Sequence, residues 1–175
     1  MPLRHVIVFA LALASDGLIA APPVPMPTGT ATPIGSLPLT FTGSTSGAAN
    51  QVSSVASSAC AQVTNVPGGE AVYTWLAGPT SSGGIGMHVD FHLTPESGFD
   101  AVMYVLTTEG DGTSCVVAAD TQGAGGLEYI HMEEILVSGQ RYYVYVDSRT
   151  SGGGNYSLRA SNKFIGVELQ TFSID

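Results

Sequence analysis

FDAVMYVLT, residues 99–107, is the stretch on which the fold turns. Aromatic and β-branched side chains dominate it. A glycine precedes it (Gly98), and the acidic Gly-rich segment Glu109–Ser114 (EGDGTS) follows. Such a run between turn residues reads as a β-strand, and as the strongest one in the chain. On its N-terminal side, Gly86–Leu93 (GMHVDFHL) alternates strictly: Met87, Val89, Phe91 and Leu93 share one face, and His88, Asp90 and His92 share the other. On its C-terminal side, Gln140–Asp147 (QRYYVYVD) repeats the pattern after the turn at Gly139.

Further strands extend outward from these three. Leu37–Thr42, Glu70–Leu76, Cys115–Ala119, Leu127–Val137, Asn155–Ala160 and Phe164–Phe172 each sit between Gly, Pro, Asn or Ser clusters. Residues 45–59 are rich in Ser, Ala and Gly and read as a loop or an irregular edge. No helical periodicity persists, and no internal repeat is visible. Eight to nine short strands with frequent turns predict an all-β fold, a two-sheet, jelly-roll-like β-sandwich. The 175 residues suit one such domain.

The N-terminus divides differently. Residues 1–21 read as a secretory signal peptide, with Arg4 and His5 before the apolar run Val6–Ala14. Cleavage after Ala14 and cleavage around Ala20 both remain open, as does a buried strand in place of a signal. The apolar run is too short to span a bilayer. Residues 22–36 carry repeated prolines among Thr and Gly and read as an extended linker. Residues 37–175 are then the folded domain, and the expected location is secreted, periplasmic or on the cell surface.

Charge narrows the partners. Charged residues are only 11% of the chain, and fourteen carboxylates outnumber five Lys and Arg, for a net charge of −9. An acidic chain without a basic cluster repels phosphate backbones, which argues against nucleic acid and against anionic membranes. Divalent cations suit that balance. The two cysteines, Cys60 and Cys115, are expected to pair in an oxidising compartment.

The order LPLTFTGSTSGAAN (37–50), Cys60, AVYTWLA (71–77), FDAVMYVLTTEGDGTSC (99–115) and SGQRYYVYVDSRTSGGGNYSLRA (138–160) resembles bacterial pre-peptidase C-terminal (PPC) domains and their relatives in secreted proteins. The best matches are Phe99-Asp100 opening a strand, YYVYVD after a Gly turn, and Gly154-x-Tyr156-x-Leu158 closing the region. The resemblance covers about residues 37–160. It implies an exported sandwich that accompanies exoenzymes without catalysing anything itself, and that serves secretion, adhesion to substrate or stability. Some relatives bind calcium or polymeric substrates.

Three constellations are candidates for chemistry. His88, Asp90 and His92 offer imidazole and carboxylate ligands to zinc, with His131 as a fourth if its strand lies alongside; the alternative is a solvated polar face. Asp100, Glu109, Asp111 and Asp120 offer oxygens to calcium around the acidic turn, although the full calcium-loop spacing is absent and Asp-Gly turn chemistry accounts for the segment equally well. Tyr143 and Tyr145 share one strand face and are candidates for gripping a ligand; Tyr73 and Trp75 share another, where Trp75 reads as core. No G-x-S-x-G elbow, H-E-x-x-H or phosphate-binding fingerprint occurs, so no catalytic residue is named. The sequence therefore points to a non-catalytic exported module that binds an extracellular polymer or partner protein. A calcium-stabilised structural or cell-surface component and an unrecognised hydrolase are the alternatives.

Overall fold

The computed structural model describes residues 24–25, 31–78, 87–133 and 136–164. The expected signal segment lies outside them, as does the expected strand Phe164–Phe172 beyond its first residue. Eight strands carry the architecture: β3 (Leu39–Ser44), β4 (Ala71–Leu76), β5 (Met87–Pro95), β6 (Ala101–Leu106), β7 (Cys115–Ala119), β8 (Glu128–Met132), β9 (Arg141–Ser148) and β10 (Asn155–Phe164). Two short strands, β1 (Val24–Pro25) and β2 (Thr32–Pro33), precede them. Sheet A has the order β1-β3-β10-β5-β8, and sheet B the order β2-β4-β9-β6-β7.

The pairings β3/β10, β4/β9, β5/β8 and β6/β7 are all antiparallel and nest inside one another. The chain thus runs as one long hairpin whose tip is the Glu109–Ser114 turn. Wrapped so that successive arms alternate between two sheets, such a hairpin is a jelly roll. The expected sandwich is therefore the observed one.

The alternating face of β5 explains why the sheets pack. Val89, Phe91 and Leu93 point inward and are fully buried. They meet Tyr73 and Trp75 of β4, Met103 and Val105 of β6, Tyr142, Val144 and Val146 of β9, and Leu158 of β10 in one core. Trp75 is core, as its strand pattern predicts, and its ring stacks on Tyr142 with centroids 5.9 Å apart.

One expectation needs correction. Segment 22–36 is not wholly linker. Val24–Pro25 pairs parallel with β3, Thr32–Pro33 pairs parallel with β4, and Ile34 is buried in the core. Extended, Pro-rich chain is suited to a sheet edge, where a missing N–H is not needed.

Residues 45–59 are irregular, in line with the loop reading, and the irregular chain continues to residue 70. Together these residues form a flap that closes the outer face of sheet B. Val52, Val55, Val63 and Val66 pack on Val72, Val102, Tyr104, Leu106 and Tyr145 to make a second core. The Cys60–Cys115 disulfide ties the flap to the start of β7. β6 is consequently buried on both faces along its whole length, which is why its sequence shows an unbroken apolar run and no alternation.

Candidate functional site

The β5–β8 register brings a polar array together on the outer face of sheet A. Asp90 lies opposite His131, and His92 opposite Tyr129. On the other flank of β5, β10 sets Ser161 opposite Asp90 and Arg159 opposite His92. Period-2 alternation puts all of these side chains on one face.

Asp90 is the hub. Its Oδ1 accepts the Tyr129 hydroxyl at 2.7 Å and pairs with His131 Nδ1 at 2.7 Å. His131 Nε2 lies 3.3 Å from Glu133 Oε2. His88 Nε2 stands 3.9 Å from Asp90 Oδ2, and the His88 and His131 rings are 5.0 Å apart. His92 turns away and packs on Tyr129, with centroids 4.7 Å apart.

The electrostatics follow from these contacts. Partial burial works to raise Asp90, but the hydrogen bonds from His131 and Tyr129 outweigh it and hold the carboxyl below its ordinary value. The hydrogen bond from Asp90, reinforced by Glu133, holds His131 above the usual imidazole range. The same carboxylate raises Tyr129.

The array does not draw all of the expected zinc ligands together. Residues i, i+2 and i+4 of a strand spread over roughly 13 Å, and His92 at the far end is engaged with Tyr129. His131 does join the set, as its strand position suggested. Even so, among the described residues no group of three or more His, Cys, Asp or Glu side chains is arranged to hold a metal ion.

The expected calcium set is also dispersed. Asp100 and Asp120 flank one end of the β6–β7 hairpin, while Glu109 and Asp111 sit at its tip, a strand length of roughly 20 Å away. Asp120 is bound by the Arg149 guanidinium, whose Nε donates to it at 2.7 Å. Asp111 caps a one-turn 3₁₀ helix, Gly112–Ser114, by accepting Thr113 N–H at 2.9 Å and its hydroxyl at 2.6 Å. These bonds lower its pKa. The Asp-Gly turn reading accounts for this residue.

Tyr145 is not a binding-face residue. It is fully buried under the flap, with its ring stacked on Tyr104 at 5.0 Å and its hydroxyl accepting Gly110 N–H. Tyr143 is half-buried against the same cluster. Among the described residues, Tyr129 is the most exposed aromatic ring, at 45%. Its alternation with buried Ile130 was a legible signal for an outward position.

A catalytic reading meets a geometric obstacle. Ser161, Asp90 and His131 form one row across three strands, but Asp90 is in the middle. A serine nucleophile needs the imidazole between it and the carboxylate. Here serine and histidine backbones stand two strand spacings apart, roughly 9–10 Å.

No family model matches the chain, and no curated protein matches it. Among solved structures, the chain is similar to the pre-peptidase C-terminal domain of collagenase from Bacillus anthracis. Sequence identity is 20%, the match covers 78% of this chain and 98% of that one, and the TM-score is 0.49.

Proposed function

We propose that the protein is a non-catalytic, exported β-sandwich module that binds an extracellular polymer through the outer face of sheet A. The observation that carries this reading is the exposed Tyr129 ring beside His92, within hydrogen-bonding reach of the Asp90 carboxylate. A phenol ring flanked by carboxylate and imidazole presents an apolar plate with polar groups at its edge. That combination suits the face and hydroxyls of a sugar ring better than the side chains of a protein partner. Arg159, exposed opposite His92, widens the polar margin. The outer face of sheet B is closed by the flap, which leaves sheet A as the broad surface for recognition. Export is supported by the Cys60–Cys115 bridge, which persists in oxidising compartments. Among the described residues no helix is long and apolar enough to cross a membrane.

The test is co-sedimentation of the chain with insoluble polysaccharides, using collagen fibrils as the protein arm. Retention on a polysaccharide that Tyr129→Ala and His92→Ala both abolish is the expected result. Retention on collagen alone transfers the reading to a protein partner, and no retention on either rejects it.

A further inference from the structure

The flap over sheet B is almost without ionisable groups. Residues 45–69 contain no Asp, Glu, Lys, Arg, His or Tyr, and Cys60 is in the disulfide. The charge that anchors the flap is Glu70, its last residue. Glu70 is only 4% exposed. One of its oxygens accepts Gln51 N–H at 2.8 Å and the other accepts Val52 N–H at 3.2 Å. The side chain thereby folds the end of the flap back onto its beginning.

Beneath the flap, Glu70 lies across from Asp147 of β9, one position beyond the Ala71–Val146 pair, and Asp147 is fully buried. Asp147 Oδ1 accepts Ser148 N–H at 2.6 Å, and its Oδ2 accepts the Tyr104 hydroxyl at 2.8 Å. An ionised carboxylate offers acceptors only, so two carboxyl groups bond to each other only while one carries a proton. Among the described residues no cation pairs with either carboxyl group. The other ionisable groups near the pair are Tyr104 on β6 and Tyr145 on β9, and Glu109 in the turn after β6 acts on Tyr145. Arg149, two residues beyond Asp147, directs its guanidinium to Asp120 and to the carbonyls of Gln62 and Asn65.

We propose that Glu70 and Asp147 form a proton-operated latch: their shared proton fastens the first half of the flap to sheet B, and its transfer to a base in solution releases that half. Burial pushes Asp147 up to about 8, against the hydrogen bonds from Ser148 and Tyr104, and also raises Glu70. Burial holds the neighbouring phenols higher still, Tyr145 up to about 12 and Tyr104 beyond it, so neither ionises in the same range. Once the proton leaves, an O–H···O bond becomes two facing carboxylates in a low-dielectric site. The second half of the flap stays attached through the disulfide and Arg149. What opens is the cover over Val72, Val102 and the Tyr104–Tyr145 stack, an apolar surface hidden while the latch is closed. The sign follows from the raised folded-state pKa. The contribution to stability is complete below the ordinary carboxyl value, and it declines as pH rises to about 8.

The experiment follows the Gln51 and Val52 amide signals and the Asp147 carboxyl carbon of the disulfide-bonded chain by NMR, from about pH 5 to about pH 10. A common midpoint near 8 is expected. Asp147→Asn has no proton to lose in this range, so the two amide signals should stay fixed across it. An Asp147 carbon that titrates in the ordinary carboxyl range overturns the proposal. So do amides that ignore its titration, or an Asp147→Asn chain whose amides move as the parent's do. Should that variant not fold, the carboxyl and amide titrations of the parent chain decide alone.

Discussion

Tyr73 of β4 and Tyr156 of β10 meet hydroxyl to hydroxyl, 2.8 Å apart, between the two sheets. Both residues are buried, so each oxygen depends on the other for its polar partner. Burial accordingly pushes Tyr73 up to about 12 and Tyr156 higher. The contact also explains Gly43 on β3, where a Cβ would lie 2.5 Å from the Tyr156 hydroxyl.

Removing one hydroxyl should therefore cost more than its own bond. Tyr73→Phe strands a buried hydroxyl on Tyr156 and is expected to destabilise the chain by about 1–3 kcal/mol. Tyr156→Phe should behave alike. The double variant should lose less than the sum of the two, because no orphan remains. Urea unfolding of the four chains measures the cycle, and strict additivity would show that the pair does not exist in solution.

The disulfide should stabilise chiefly through the unfolded chain. It joins residues 55 apart in sequence, for which the loop-closure model gives about 4 kcal/mol. Replacing both Cys60 and Cys115 by Ala is expected to lower the urea midpoint by a corresponding amount while leaving the sandwich intact. The Asp120–Arg149–Gln62 contacts still hold that half of the flap. A midpoint unchanged on reduction of the parent chain would count against the bridge.

Gly112 marks where the flap crosses the hairpin tip. A Cβ there would collide with the Ser54 carbonyl oxygen and approach Val52 Cγ1 to 3.2 Å. The backbone oxygen cannot swing aside as a flexible side chain could, and Gly112 itself accepts Ala56 N–H. Gly112→Ala should cost about 1–3 kcal/mol by overpacking. It should also speed hydrogen exchange at Ala56, whereas Gly123→Ala, with open space around it, should do neither.

The legible parts of this molecule are those governed by short-range patterning. FDAVMYVLT, the alternation of His88, Asp90 and His92 with Val89, Phe91 and Leu93, and the turn residues at Gly98 and Gly139 place strands β5, β6 and β9 within a residue or two. The Trp75 position follows from the same rule. What stayed hidden depends on which strand lies beside which. The valines of the flap fall in a Ser- and Ala-rich segment with neither a period of 2 nor one of 3.6, so nothing marks them as core. Tyr145 then looks outward, because nothing marks the flap as its cover. Glu70 and Asp147 come together only through the β4–β9 pairing beneath that flap. Asp100 and Glu109 look close along the chain, yet the extended backbone of β6 carries them apart.

The Asp90–His131 contact makes a prediction with two opposite signs. His131 is raised by its carboxylate partner, so its contribution to holding edge strand β8 is complete below the ordinary imidazole value and disappears as pH climbs through the raised one. Asp90 is lowered, so its contribution exists above the ordinary carboxyl value and disappears as pH falls. The contact is therefore firmest between those limits. With His131 41% exposed and Glu133 42% exposed, screening keeps the net effect on stability small, so the ring titration is the sharper measurement. Asp90→Asn should drop the His131 pKa toward about 6.5. Glu133→Gln should lower it less, because that contact is 3.3 Å against 2.7 Å for Asp90. A His131 titration untouched by Asp90→Asn would place Tyr129, not His131, as the principal partner of the carboxylate.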